Sequence, residues 1–378
     1  MKPLARISSL VALLAVVLAP PSAQAGRGAA VKERGARGAK RAVKLWMAPA
    51  EAWVSNTSAM MRMARTTRQR LTTLRTRDIR ATRRPQDLAA LMARGATPGE
   101  LRFVHPHASD PRSPQTMIDR TGSVHFGPRA RGRLARGKRV KAILVAHGYT
   151  SNADQQRGLD DLVSHADERG MAVVYIDGIE AYDRQVHRSV RSWNAGKCCG
   201  PAMEHGFRDL EYIAELLPEL GRKFHISGWA MAGESNGGYL TYKARREMPG
   251  LIHAAFPVVG TEESSGAPAA AASDLPPLHA TVGRGDMLVN PLTARWIGAL
   301  APERAAEQAA REKGATASRT RREVGAYVRT TWRDPAGATV GSVTRVTALG
   351  LDHHLWPGGA HTSKRIAKLA DQLIPDSD

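Results

Sequence analysis

The stretch AGESNGGYL, residues 232–240, constrains this chain more than any other. It sets one serine between an acid and an amide, with glycines on both sides. GWAMAG (228–233) before it is an apolar run of strand length. NGGYLTYKARRE (236–247) after it has helical periodicity and is stopped by Pro249-Gly250. A chain that leaves a buried strand and enters a helix within one residue must turn sharply. Side chains beside such a turn collide, and glycine removes the Cβ that would do so. Gly233-Glu234-Ser235-Asn236-Gly237 is therefore read as a nucleophile elbow, with Ser235 held above a sheet at a helix N-terminus. Free N–H groups and the helix dipole favour developing negative charge there. A glycine-rich turn with a capping serine is the plainer alternative.

The flanking sequence supplies the sheet. AILVAHG (142–148), MAVVYIDG (171–178), HAAFPVVG (253–260), LHATVG (278–283) and SVTRVTALG (342–350) read as strands. FRDLEYIAELLPEL (207–220) and TSKRIAKLADQLI (362–374) read as helices, the first with Pro218 near its end. Continuous apolar strands alternating with helices predict an α/β domain over 100–378, with a mostly parallel central sheet covered on both faces. Aromatics make up only 5% of the 378 residues, so the core leans on Ala, Val and Leu. No internal repeat is present.

A nucleophilic serine needs a base, and the base needs an orienting acid. In this strand–turn–helix setting the expected chain order is serine, acid, histidine. GRGDMLVNP places Asp286 just past a strand, and GLDHHLWPGG places His353 and His354 in the loop after the last strand. Asp286 is preferred to Asp352, which lies too close in sequence to the histidine pair. The oxyanion hole is expected from the N–H of Asn236 and from the loop HGYTSN (147–152), with Tyr149 as its donor. His147 is read as orienting that loop. No metal and no organic cofactor is called for, and the cysteines lack metal-ligand spacing with any histidine cluster.

These residues carry a resemblance. LVAHGYTSN, VVYIDG, SWNAGKCCGPA followed by RDLEYI, GESNGGYL, GRGDMLVNP and HLWPGG resemble the secreted polyhydroxybutyrate depolymerase and feruloyl esterase family of α/β-hydrolases, over about residues 140–375. The SWNAG-x-CCG and H-x-WPGG blocks are far more specific than G-x-S-x-G. The resemblance implies an α/β-hydrolase fold and a carboxylic-ester hydrolase. It implies Ser235 as nucleophile, Asp286 as acid and His354, not His353, as base. It also implies that Trp193 and Trp356 lie by the catalytic cleft and meet substrate. The chain departs from the family in two places. AYDRQVHRSV (181–190) lengthens a loop near the site, and no cysteine lies in the segment before the catalytic histidine. Its two cysteines, Cys198 and Cys199, are adjacent, and either a disulfide or a pair of buried thiols fits them.

The N-terminus reads differently. Lys2 and Arg6, the apolar run ISSLVALLAVVLA and Ala23-Gln24-Ala25 form a secretory signal pattern over 1–25. A secreted protein, extracellular or periplasmic, is expected. No transmembrane segment is expected after signal cleavage. Residues 26–99 form a basic leader: Arg27 to Arg84 holds 16 Lys or Arg against three acids, out of a net charge of +20. Its first part has almost nothing to bury and is read as disordered, and SNTSAMMRMARTTRQRLTTLRTRDIRATRR as a short helix. Asn56-Thr57-Ser58 fits a glycosylation sequon. Charge and location make an anionic cell-surface polymer or lipid headgroups the leader's candidate partner, with nucleic acid the weakest, against a merely solvated leader. No aromatic-interleaved basic motif supports specific nucleic-acid binding. The expected substrate is an ester, polymeric or small: polyhydroxyalkanoate, feruloylated or acetylated polysaccharide, or an aryl ester. A serine peptidase of the same fold and a non-catalytic surface-binding protein using the leader remain the rivals.

Overall fold

The computed structural model describes residues 99–263, 274–284, 286, 288–322, 327–333, 336, 339–348 and 360–376. The signal pattern, the leader with its sequon and expected helix, His353, His354 and Trp356 lie outside the described residues.

The described chain forms a ten-stranded sheet and a separate two-stranded hairpin. The strands are β1 (Glu100–His107), β2 (Ile118–Phe126), β3 (Val140–Ala146), β4 (Ala172–Ile176), β5 (Ile179–Asp183), β6 (Arg188–Ser192), β7 (Ile226–Glu234), β8 (Ala254–Val258), β9 (Leu278–Gly283), β10 (Ala317–Arg322), β11 (Tyr327–Arg333) and β12 (Thr339–Ala348). The helices are α1 (Pro128–Ala135), α2 (Ala153–Leu159), α3 (Leu162–Asp167), α4 (Pro201–Glu204), α5 (Asp209–Lys223), α6 (Asn236–Glu247), α7 (Pro291–Ile297), α8 (Pro302–Glu312) and α9 (Ala360–Leu373). The sheet order is β1-β2-β4-β3-β7-β8-β9-β12-β11-β10. β4 through β12 in that order are parallel to their neighbours, while β1, β2, β11 and β10 extend the sheet antiparallel at its two edges. The crossover of β3 and β4 and the elbow after a central strand define the α/β-hydrolase fold.

The apolar runs explain the middle of the sheet. Every residue of β3, β4 and β8 is buried, as expected where helices cover both faces. Alternation divides β3 between two cores. Ala142, Leu144 and Ala146 meet Tyr212, Ile213 and Leu216 of α5 and Leu240 of α6. Ile143 and Val145 meet Leu162 of α3 and Ile366, Ala367 and Ala370 of α9. Burying each such aliphatic side chain contributes about 1.5–3 kcal/mol. The sheet therefore holds β7, and whatever follows it, on a rigid platform.

Several elements differ from expectation. α5 runs on to Lys223, through Pro218, and ends against Phe224. The segment read as a lengthened loop is the β5–β6 hairpin, paired from Ile179↔Ser192 to Asp183↔Arg188. β10 is exposed at every position. Such a strand offers no apolar alternation to read, and its arginines suit an uncovered sheet edge. Among the described residues no helix is long and apolar enough to cross a membrane.

Candidate active site

Ser235 is the single residue between β7 and α6, with φ 52° and ψ −114°. A side chain in this left-handed region costs on the order of 1–3 kcal/mol. The neighbours hold it there. Ser235 N–H donates to Val258 O at 2.9 Å, and Ser235 O accepts Tyr239 N–H at 3.0 Å. A Cβ on Gly233 would lie 2.2 Å from Gly237 O, and one on Gly237 would lie 2.2 Å from Ala146 O. The first turn of α6 thus rests directly on the backbone of β3 and β7, which only glycine permits.

Asn236, the first residue of α6, is fully buried. Its Oδ1 accepts Trp193 N–H at 2.7 Å, and its Nδ2 donates to Trp193 O at 3.2 Å. Trp193 Nε1 donates to His147 O at 3.0 Å, and the two rings lie 5.1 Å apart between centroids. Gly178 N–H donates to His147 Nε2 at 2.9 Å, so the proton sits on Nδ1, which donates to Gly148 O at 2.7 Å. Burial lowers the imidazole pKa to about 4 and keeps it neutral. His147 therefore has the contacts of a loop-orienting residue.

Trp193, expected to lie by the cleft and meet substrate, has a side chain that is 0% exposed. The indole is consumed in packing against His147, which makes it a brace behind the elbow.

A buried network backs this brace, and the sequence reading assigned it no role. Arg120 of β2 and Asp209 of α5 form an ion pair at 2.7 Å, both buried. Asp209 Oδ2 accepts Asn194 N–H at 2.6 Å, and Asn194 Nδ2 donates to Phe207 O at 2.8 Å. The Arg120 guanidinium carbon lies 4.1 Å from the Tyr212 ring centroid. Removing one partner of such a pair typically costs about 3–5 kcal/mol. The block RDLEYI contains Asp209, but only the folded chain reveals what the carboxylate holds.

The loop after β3 passes the serine closely. A Cβ on Gly148 would lie 3.5 Å from Ser235 Cβ and 3.6 Å from Glu234 O. Tyr149 follows, and its hydroxyl donates to Asp183 Oδ2 at the end of β5. Burial first, then the Asp183 carboxylate, pushes the Tyr149 phenol well above its ordinary pKa. Thr150, at φ 65°, donates its N–H to Arg191 O of β6 at 3.0 Å. The β5–β6 hairpin thus braces the loop expected to carry an oxyanion donor.

Asp286 lies just beyond β9 and is 4% exposed. Its Oδ1 accepts the N–H groups of Leu288 at 2.8 Å and Val289 at 2.7 Å. After burial, its charge is the next cause that raises the Tyr239 phenol pKa. Cys198 and Cys199 are joined by a disulfide, and Asn236 Nδ2 approaches Cys198 Sγ at 3.9 Å. Among the described residues no cluster of three or more His, Cys, Asp or Glu side chains is set to hold a metal.

Of the expected site residues, the structure sets Asn236 next to Ser235 at the start of α6 and brings Gly148, which precedes Tyr149, against it, while Asp286 lies just beyond β9. These features define a protein of α/β-hydrolase fold with a serine held on a sharp strand-to-helix turn. No protein-family model and no curated protein matches the chain. Solved structures do resemble it. An S-formylglutathione hydrolase from Agrobacterium tumefaciens is 14% identical, covering 73% of this chain and 96% of its own, with a TM-score of 0.46. An acetyl xylan esterase from Aspergillus awamori is 13% identical, covering 72% and 99%, with a TM-score of 0.48. The feruloyl esterase module from Clostridium thermocellum is 10% identical, covering 74% and 90%, with a TM-score of 0.43.

Proposed function

We propose that this chain is a serine hydrolase that cleaves carboxylic esters through an acyl-enzyme on Ser235. The observation that carries the reading is the backbone at Ser235. A non-glycine residue is kept at φ 52° by glycines that no other residue could replace. Strain of this kind persists where a function needs it.

In the proposed mechanism His354 takes the hydroxyl proton as Ser235 Oγ attacks the ester carbonyl, and Asp286 orients the imidazole and stabilises its charged form. The N–H groups of Asn236 and Tyr149 hold the oxyanion. The alcohol leaves with the proton from His354. Water then repeats the sequence on the acyl-enzyme and frees the acid. Each oxyanion donor is worth about 3 kcal/mol of barrier. Trp356 is proposed to line the substrate side. Polyhydroxyalkanoate oligomers, feruloyl or acetyl polysaccharide esters and small aryl esters are the substrate classes proposed, in a secreted protein whose basic leader meets an anionic surface.

A fluorophosphonate probe tests the class. Labelling mapped to Ser235, and lost in Ser235→Ala, is expected. An unlabelled folded protein would return the chain to the non-catalytic alternative. p-Nitrophenyl esters, methyl ferulate, hydroxybutyrate oligomers and peptides then rank substrates. Peptide cleavage in preference to every ester would make it a peptidase.

A further inference from the structure

Residues 128–141 read PRARGRLARGKRVK, seven Lys or Arg with no acid. The first eight form α1, which packs beside α3. Between them opens a cleft of about 500 Å³, lined by Arg129, Arg133, Arg136, Glu168, Arg169 and Gly170. It lies where α1 leads into β3 and Gly170 leads into β4, at the amino ends of strands whose parallel neighbour β7 carries Ser235 at its carboxyl end. The cleft and the elbow are at opposite ends of the sheet.

The cleft is shaped around its arginines. Gly170 has φ 66°, and a Cβ there would meet Arg133 Cδ at 2.7 Å. Gly170 leaves the space in which Arg133 lies. Arg129 is fixed in place: its Nη1 donates to Glu168 O at 2.5 Å, and its N–H donates to Asp167 Oδ1 at 2.9 Å. Two acids stand by the cleft. Glu168 Oε1 lies 3.5 Å from His165 Nδ1, and Asp371 Oδ2 lies 3.6 Å from Arg169 Nη1, so Arg169 already has a carboxylate partner. Among the described residues no ion pair joins Arg133 or Arg136 to a carboxylate, although the Arg133 charge helps lower the Asp376 pKa, and Arg133 Nε is buried without an acceptor. A buried donor left unpaired costs roughly 1–3 kcal/mol, so a side-chain shift that lets Arg133 meet an oxygen supplied from outside is favourable.

We propose that this arginine cleft binds a phosphoryl group, either free or carried by an anionic lipid headgroup. Guanidinium forks match phosphate oxygens in pairs, and the cleft's excess of positive charge suits a multivalent anion better than a single carboxylate. The proposal is independent of the hydrolytic reading.

Calorimetric titration of the full chain with inorganic pyrophosphate tests it. Arg133→Gln and Arg136→Gln are each expected to weaken binding by about tenfold. Arg133→Lys, which keeps the charge and loses the fork, restores only part of the affinity. The double variant Arg319→Gln with Arg322→Gln removes two exposed arginines from β10 and stays within about twofold of the parent. Unchanged affinity in the cleft variants, or equal weakening in the β10 variant, overturns the proposal. Cosedimentation with phosphatidylglycerol and phosphatidylcholine vesicles separates the two sources. A loss in Arg133→Gln confined to phosphatidylglycerol marks the headgroup, and a loss confined to pyrophosphate marks the free anion.

Discussion

The side-chain amide of Asn236 pairs with both backbone polar groups of Trp193, accepting its N–H at 2.7 Å and donating to its carbonyl at 3.2 Å. One residue thereby ties the start of the elbow helix to the chain that leaves the β5–β6 hairpin. Through Trp193 the tie continues to His147 and to the loop beside the serine. A continuous chain of hydrogen bonds thus joins elbow and loop, which suits a preorganised oxyanion site.

Asn236→Ala removes that tie without touching the serine. It leaves the buried Trp193 N–H unpaired, while the Trp193 carbonyl keeps the Ala195 N–H at 3.0 Å, and the expected loss is about 1–3 kcal/mol of stability. Urea denaturation checks it. Ester turnover should fall as well, because the elbow and the loop can then move apart. A variant as stable as the parent would mean that water or a neighbour replaces the amide.

Ser235→Ala and Ser235→Gly separate chemistry from strain. Both should abolish ester cleavage, by about 10³-fold or more. Only glycine is at ease at φ 52°. Ser235→Gly is therefore expected to be the more stable of the two, by about 1 kcal/mol. Paired denaturation curves decide it, and equal midpoints would show that the backbone relaxes around alanine.

Much of this site was legible because its parts are close in sequence. β7, the serine and α6 follow one another without a gap, and the expected helix 236–247 and strand 278–283 match α6 and β9 at both ends. Elements with weak or mixed patterns were not legible. β1 alternates, but its inward positions include His105 and His107, and β10 has no buried face. The Arg120–Asp209 pair spans 89 positions and the Asn236–Trp193 pair 43. No local period links such residues. Trp193 was legible as a member of the site, but its burial was not, since a motif names residues without saying which way they face.

Tyr149→Phe tests the loop from its other side. The substitution leaves Asp183, which is fully buried, with the N–H groups of Gln185 at 2.7 Å and Val186 at 3.3 Å on Oδ1, and strips the phenol from Oδ2. A stability loss of about 1–2 kcal/mol is expected. With the Tyr149 N–H as an oxyanion donor, a loosened loop should lower kcat by about tenfold and leave KM nearly unchanged. A matching rise in KM instead would assign the tyrosine to ground-state binding.

Buried neutral histidines set the acid limit of the fold. Burial lowers His147 from its ordinary 6.5 to about 4, and lowers His125 and His279 to about 3. Between those values and 6.5 the unfolded chain binds protons that the native protein refuses, so stability rises with pH across the window. The contribution is complete above pH 6.5 and is lost progressively as pH falls, by about 3 kcal/mol for a shift the size of that at His147. Urea midpoints measured from pH 7.5 to 4 should therefore decline steeply below pH 6.5. Imidazole carbon shifts should show His147 neutral until near pH 4, with its proton on Nδ1. A ring that titrates near 6.5 in the folded protein would mean that water reaches it, and the rigid coupling between Trp193 and the loop beside Ser235 would have to be abandoned.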